Sequence, residues 1–257
     1  LHLVRGRANE AEAAARRGLV AIPDSAPLLG LLAESLRRQG RHAEALVPIA
    51  SALEQAPLVP QLHALKAELL AEQSEYDAAL PSARKAASLD ASPEYQALLA
   101  QVLVAAGQLD EGGELATRLI AGPQPLLPLF ELQAVLAERH DDHPEALRWC
   151  DRGLVAYPGE ARLLVRRARL GLQAEERDAT DRLIPLLDQS GSLPWREISQ
   201  LFAQANRPVP ARRAAYQFIA GCSDGDGDRR ARAWLHLAEL ELGMSNISEA
   251  EQALDTA

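Results

Sequence analysis

Two histidines and two aspartates stand side by side at His140, Asp141, Asp142 and His143. Imidazole nitrogens and carboxylate oxygens both bind transition metals, so a metal site is one interpretation of this run. No third or fourth ligand group lies nearby in the sequence, and Pro144 follows directly. Aspartate is a good N-cap residue at the start of a helix. We therefore predict that Asp142 or His143 helps to start a helix, and we expect no bound metal and no cofactor.

Aspartate alternates with glycine from Asp224 to Asp228. A calcium-binding loop of the EF-hand type needs glycine at its sixth position and glutamate at its twelfth. Counted from Asp224, these positions hold Arg229 and Leu235, so both requirements fail. We predict a solvated loop over 221–228, with a weak cation site as the alternative.

Sequence signatures of catalysis are missing. The chain contains no phosphate-binding glycine loop, no Gly-x-Ser-x-Gly nucleophile elbow and no His-Glu-x-x-His motif. Cys150 falls where a helix should face its neighbour, so we expect a buried and unreactive thiol. Trp149, Trp195 and Trp234 are likewise interpreted as packing residues. We predict that the segment is not an enzyme and has no catalytic residues.

The elements that carry these residues repeat along the chain. The segment Gly40–Leu46 returns in outline as Ser74–Leu80, so that Ala45 is followed 34 residues later by Ala79. A fixed period of this size is typical of stacked-repeat solenoids. Within each unit, apolar residues at helical spacing indicate two amphipathic helices, separated by a polar or glycine turn such as Gly40.

The strongest matches to a known repeat pattern lie toward the end of the chain. One set comprises Trp234, Leu237, Ala238, Ala250 and Ala257, and a second comprises Trp195, Ile198, Phe202, Ala211 and Ala215. With the 34-residue period, these residues resemble the tetratricopeptide-repeat (TPR) family, whose units are helix–turn–helix pairs. The resemblance covers essentially the whole chain. It implies an all-α, right-handed superhelical solenoid of about six whole and two partial repeats.

We predict one solenoid domain over 1–257, a fragment of a longer protein. Its units are 1–25 (incomplete), 26–59, 60–92, 93–126, 127–160, 161–191, 192–230 and 231–257 (incomplete). Departures from the repeat pattern occur at Gly112, Leu119, Thr180 and Lys66, and at three prolines inside second helices, Pro48, Pro81 and Pro185. Because proline removes a hydrogen bond and bends a helix, we expect locally irregular stacking.

Charge and cysteine usage narrow the classes of partner. The net charge is −9 and Lys66 and Lys85 are the only lysines, so no electrostatic drive toward nucleic acid is expected. No apolar run approaches the roughly 18 residues that span a bilayer. Cys150 and Cys222 fall about two repeats apart, and solenoid repeats contact only their neighbours, so we expect no disulfide between them.

In the TPR family the first helices of successive units line a concave groove, where ligands usually bind. Carried over by register, the resemblance implies a partner-binding groove formed by Glu34, Arg37, Arg38, Glu68, Glu72, Gln101, Val104, Glu131, Glu138, Arg139, Arg162, Arg169, Arg196, Gln200, Arg232 and Glu239. The set is acidic in the middle of the chain and basic toward its end. Such a gradient could orient an extended or mixed-charge partner; the alternative is an ordinary solvated helix face.

We therefore hypothesise a non-catalytic scaffold that binds and positions another protein. Its Arg- and Ala-rich style resembles the periplasmic TPR region of bacterial exopolysaccharide-export (Pel-type) outer-membrane proteins, whose repeats recruit a polysaccharide-modifying enzyme. That resemblance implies a periplasmic enzyme as partner and a groove that also guides a charged polysaccharide. The alternatives are a regulatory or substrate-selecting domain of a larger enzyme, such as a glycosyltransferase or sulfotransferase, and self-association through exposed solenoid ends.

Overall fold

The computed structural model describes residues 2–189, 193–222, 227–243 and 246–256, with side chains from residue 7 onward. All secondary structure in these ranges is helical, which confirms the predicted all-α class. The helices are α1 (His2–Ala21), α2 (Ala26–Arg38), α3 (His42–Gln55), α4 (Pro60–Glu72), α5 (Tyr76–Leu89), α6 (Pro93–Ala105), α7 (Leu109–Ile120), α8 (Leu127–Arg139), α9 (His143–Ala156), α10 (Ala161–Gln173), a 3₁₀ helix (Asp181–Asp188), α11 (Trp195–Gln204), α12 (Pro208–Ala220), α13 (Gly227–Gly243) and α14 (Ile247–Thr256).

The chain forms two compact units, 1–136 and 137–257, here called the N-unit and the C-unit. In the N-unit, α2 packs on α3, α4 on α5 and α6 on α7, and each hairpin packs on the next. In the C-unit, the 3₁₀ helix packs on α10, α12 on α11 and α14 on α13, and α10 also packs on α9 and on α11. Each unit is thus a stack of helical hairpins. The single-domain prediction and its repeat boundaries stay predictions.

Small side chains allow the helices of each hairpin to approach closely. Ala45 and Ala52 of α3 and the corresponding Ala79 and Ala86 of α5 are all completely buried. A larger residue at such a crossing would push the helices apart. The repeating alanines therefore lie in the core, as the period predicts.

Among the described residues, six turns between consecutive helices have a left-handed residue at the same place: those after α2, α4, α6, α8, α10 and α11. Two of these residues are glycines, Gly40 and Gly107. The other four are Ser74, Asp141, Glu175 and Asn206, with φ between 54° and 63°. After this residue the next amide donates to a carbonyl five positions back, for example Arg41 N to Leu36 O at 3.0 Å. These bonds satisfy carbonyls at the helix end, which is why the turn recurs.

The second element of the unit 161–191 differs from the expected α-helix. It is a 3₁₀ helix, Asp181–Asp188, that contains Pro185 and packs on α10 and α12. Pro48 and Pro81, by contrast, lie inside α3 and α5 without ending them. Pro185 cannot donate a backbone hydrogen bond, and the tighter 3₁₀ winding accommodates the short segment. The irregularity falls at one of the places where the sequence departs from the repeat pattern.

The aspartate, cysteine and tryptophan residues considered above for chemistry act in helix capping or packing. Asp142 caps α9 by accepting a hydrogen bond from the Glu145 amide at 3.0 Å, as predicted. Cys150 is completely buried, and burial raises the pKa of its thiol to about 12, which suppresses the thiolate. Both Cys150 and Cys222 are free thiols. Trp149 and Trp195 are buried as predicted and Trp234 is half-buried.

The aspartate–glycine run lies mostly outside the described residues, which exclude 223–226. Within the described ranges, no three His, Cys, Asp or Glu side chains are grouped closely enough to hold a metal ion. Of the helices in those ranges, none is both long and apolar enough to cross a membrane.

Candidate functional site

A cleft of about 430 Å³ opens in the N-unit on the side of the first helices. The expected groove residues Arg37, Glu68, Glu72 and Gln101 contribute to its wall. They come from α2, α4 and α6, whose adjacent packing brings the three helices to one surface. We call this space the N-cleft. Its remaining lining consists of Ala71, Tyr76, Leu98, Val102 and Ala105.

Arg37 is the central charge of the N-cleft. Its Nε donates to Glu34 at 2.8 Å, one helical turn earlier on α2. Its Nη1 donates to Glu72 on α4 at 2.7 Å and lies 3.7 Å from Glu68. The arginine therefore joins α2 to α4 through Glu72 and Glu68, which lie 35 and 31 residues after it in the sequence.

The three carboxylates of this cluster respond differently to their surroundings. Burial alone would raise the pKa of Glu34, but hydrogen bonds from Arg37 and Arg38 outweigh it and lower that pKa. Burial raises the pKa of Glu68 above its ordinary value, although the charge of Arg37 opposes the shift. Glu72 also contacts His42 Nδ1 at 2.8 Å. Glu68 is thus the least compensated carboxylate of the cluster.

The C-unit has a cleft of similar size, about 420 Å³. We call it the C-cleft. The expected residues Arg169 and Gln200 lie in its wall, on α10 and α11. The rest of its lining is Leu172, Gln173, Glu197, Leu201 and Gln204. Amide side chains, which both donate and accept hydrogen bonds, dominate its polar surface.

Charges around the C-cleft are paired between first helices. Glu138, at the end of α8, accepts hydrogen bonds from Arg166 and, at 3.4 Å, from Arg169. Arg169 also lies 3.7 Å from Glu197 on α11. This chain of partly exposed charges contains two arginines and two glutamates, so the C-cleft is close to neutral where the N-cleft is acidic.

The other expected groove residues lie outside the two clefts. Arg38 pairs with Glu34 at 2.5 Å, and Arg232 pairs with Asp228 at 3.0 Å within its own helix. Glu131 and the buried Val104 belong to α8 and α6 without lining a cleft. Arg139, Arg162, Arg196 and Glu239 are exposed on first helices.

Several cleft residues were missed at the level of sequence. Leu98 and Val102 stand three residues before and one residue after the expected Gln101, and Glu197 and Gln204 flank Gln200 at helical spacing. The spacing of three and four residues along one helix face is the signal that identifies them, with Val102 four residues after Leu98. Tyr76 begins a second helix, and only the hairpin geometry brings it to the N-cleft.

Neither a protein-family model nor a curated protein sequence matches the chain. Solved structures do. A tetratricopeptide repeat protein from Parabacteroides merdae superposes with a TM-score of 0.64 at 17% identity, over 96% of this chain and 93% of that one. PilW, described as a widely conserved type IV pilus biogenesis factor, gives 0.54 at 16% identity, over 89% and 90% of the two chains.

A chain of the APC/C hetero-tetramer Cut9–Hcn1 gives a TM-score of 0.63 at 16% identity. The match covers 90% of this chain and 47% of that one. Identities this low show the fold alone. The chain therefore has an all-α helical-repeat fold similar to that of TPR proteins.

Proposed function

We propose that this chain is a non-catalytic scaffold that binds a partner protein along its first helices. The observation that carries this proposal is that each compact unit has, among the described residues, a cleft of about 420–430 Å³ walled mainly by first-helix side chains. Each cleft combines leucine surface with a few charged or amide groups. Such mixed surfaces are typical of sites that bind polypeptide segments.

The similar structures support a role in assembly. The Cut9–Hcn1 structure is described as a hetero-tetramer, and PilW as a pilus biogenesis factor. These descriptions concern those proteins. They favour partner binding here because this chain has a fold similar to theirs.

Site-specific crosslinking tests the scaffold function. A photoreactive amino acid replaces Gln101 in the N-cleft or Gln200 in the C-cleft, in the protein as its native host produces it. Matched controls carry the same group at Lys85 on α5 and Arg148 on α9, both exposed on second helices. We expect a protein crosslinked from the cleft positions and from neither control.

The recovered protein is then purified and titrated against the unsubstituted scaffold by calorimetry. A saturable one-site interaction supports the proposal. Crosslinks that are equally strong from Lys85 and Arg148, or a recovered protein that shows no binding when purified, would overturn it.

At a finer level, we propose that the partner acts in bacterial exopolysaccharide export. This proposal is supported by the Arg- and Ala-rich repeat style and its resemblance to the Pel-type periplasmic regions. Identification of the crosslinked protein tests it directly. A polysaccharide-modifying enzyme is the expected result, and a partner from an unrelated process contradicts the finer proposal.

A further inference from the structure

We propose that the N-cleft binds a basic segment of the partner protein, with a lysine or arginine side chain between Glu68 and Glu72. Apolar residues next to that cation would pack on Leu98 and Ala105. This inference rests on the proposed scaffold function and adds the chemistry of the occupant.

The charge balance of the N-cleft favours a cation. Three carboxylates, those of Glu34, Glu68 and Glu72, surround the single cleft arginine, Arg37. Arg38 offsets part of the charge of Glu34, but its side chain is 59% exposed and lies away from the cleft lining. Arg37 donates its short hydrogen bonds to Glu34 and Glu72, at 2.8 and 2.7 Å.

Glu68 is the carboxylate that a ligand would compensate. Arg37 Nη1 lies 3.7 Å from its carboxylate, beyond the range of a good hydrogen bond. Its side chain is 41% exposed, so the carboxylate is open to an incoming group while part of its hydration is already lost. Burial raises its pKa, which is the mark of a desolvated acid with too little compensation. A second cation at this position would supply the missing partner.

The floor of the N-cleft adds a second requirement. The half-buried Ala71, Leu98 and Ala105, with the buried Val102 beneath them, form an apolar surface in the same lining as the two glutamates. A small inorganic cation would leave this surface bare, whereas a polypeptide segment with basic and aliphatic side chains would cover both parts. The near-neutral, amide-rich C-cleft lacks this pairing of acidic rim and apolar floor. The acidic character is therefore specific to the N-cleft.

Peptide binding tests the proposal on the whole chain. The probes are a short capped fluorescein-labelled peptide of lysine, alanine and leucine, and the same peptide with glutamate in place of lysine. Fluorescence anisotropy gives the dissociation constants at low and at physiological salt. We expect the lysine peptide to bind, with weaker binding at higher salt, and the glutamate peptide to bind much more weakly.

Charge-matched variants locate the site. Glu68→Gln with Glu72→Gln should weaken binding of the lysine peptide about tenfold, because two partly exposed carboxylates each contribute a modest attraction. The control, Glu54→Gln with Glu114→Gln, makes the same change of net charge at exposed positions of second helices. It should leave binding within about twofold of the parent protein. Thermal melting of both variants confirms that they fold.

Arg37→Gln gives a result of opposite sign. Removing the resident cation leaves three carboxylates to attract the peptide, so the lysine peptide should bind about threefold more tightly. If the cleft binds an acidic segment, Arg37→Gln should instead weaken binding of the glutamate peptide. The proposal would be overturned if the glutamate peptide bound more tightly than the lysine peptide. It would also be overturned if the two double variants weakened binding of the lysine peptide equally.

The crosslinked partner separates this inference from the scaffold function. A partner that binds Glu68→Gln/Glu72→Gln as well as the parent protein overturns the basic occupant and leaves the scaffold standing. Absence of any cleft-specific partner overturns the scaffold itself. A partner weakened by this pair and unaffected by Glu54→Gln/Glu114→Gln supports both.

Discussion

At the residue scale, buried charged groups depend on particular partners. Glu241 in α13 is almost fully buried and accepts hydrogen bonds from Arg212 Nη2 and Asn246 Nδ2, both at 2.7 Å. The bond from Arg212 is the main cause that lowers the pKa of Glu241, although burial opposes it. These contacts join α12 and α13 and the start of α14. The charge of Glu241 is therefore part of the packing of the last hairpin.

We predict that Glu241→Gln lowers the free energy of unfolding by about 2 kcal/mol, because Arg212 loses its buried counter-charge. Urea denaturation at neutral pH measures the change. The same stabilisation should be present above the ordinary pKa of 4.5 and disappear as the pH falls below it, since the folded-state pKa is lowered. Glu251→Gln, at an exposed position of α14, is the control and should change little.

At His236, in contrast to Glu241, burial favours the neutral form of the side chain. The ring is 4% exposed and meets Phe218 edge-on at 6.4 Å between centroids. Burial lowers its pKa below 6.5, and Arg196 adds to the shift while Glu239 opposes it. The folded state thus favours the neutral ring, so stability should be full above about pH 6.5 and decline below it.

His236→Leu should remove this decline between about pH 5 and 7. Urea midpoints recorded across that range, for the parent and the variant, provide the measurement. His63→Leu, at a more accessible histidine bonded only to the Pro57 carbonyl, serves as the control. An unchanged pH profile in His236→Leu would contradict the assignment.

At the element scale, the hairpin turns carry measurable backbone strain. Glu175 adopts φ 58° at the place where Gly40 and Gly107 occur in other hairpins. Glycine adopts this conformation without a steric penalty, whereas glutamate does not. The backbone requirement is the same in these six described turns, and the residue type is not.

We predict that Glu175→Gly raises the free energy of unfolding by about 1 kcal/mol and that Gly107→Ala lowers it by a similar amount. A methyl group at Gly107 would meet no atom within 4 Å, so its cost arises from φ +83° alone. Gly159 is equally open but has no positive φ, and Gly159→Ala is therefore the neutral control. Urea denaturation midpoints of the three variants and of the unsubstituted protein measure these changes in stability.

The departure at Gly112 also has a packing reason. A Cβ atom there would lie 2.6 Å from Val104 Cγ2 and 3.0 Å from the Ala100 carbonyl oxygen, so α6 and α7 could not keep their present approach. We predict that Gly112→Ala costs about 2 kcal/mol of stability. Val104→Ala in the same chain should restore only part of it, because the backbone contact remains. Gly113→Ala, which would meet only the end of Leu136 at 3.2 Å, should cost less.

Some of these elements were predictable and others were not. Gly40 and the buried alanines follow from the period, because helix, turn and small crossing residues are local features. The residue types of Ser74 and Glu175 do not indicate a left-handed turn, since neither is glycine; only the repeat register aligns Ser74 with Gly40. Pro185 and Thr180 indicate a local irregularity in this unit, but they do not predict a 3₁₀ helix. Tertiary packing selected that winding, because the shortened segment must still cover α10 and α12.

At the scale of the whole molecule, each compact unit presents its own cleft chemistry. The N-cleft is acidic with an apolar floor, and the C-cleft balances its charges and is rich in amides. Exposed arginines continue along α10 and α11 beside the C-cleft. A partner of mixed charge could therefore use different parts of the chain for its basic and acidic segments.

We predict that reversing Arg162, Arg169 and Arg196 to glutamate weakens binding of the crosslinked partner at least about tenfold. The matched control reverses Arg118, Arg148 and Arg177, which are exposed elsewhere. Calorimetry with the purified partner measures both. Equal effects of the two triple variants would indicate that only net charge matters, and an unchanged affinity would remove the arginines from the interface.

The sequence by itself determined the helical hairpins and their small crossing residues, because apolar periodicity and alanine spacing act over a few helical turns. It also placed Arg37, Glu68 and Glu72 on first helices by register. Only the tertiary structure decided that Arg37 bonds Glu72 and leaves Glu68 with a distant counter-charge. Those choices depend on how neighbouring helices cross and rotate. Exposed ion pairs are too weak to leave a pattern in the sequence, so the clefts emerge only when the hairpins are stacked.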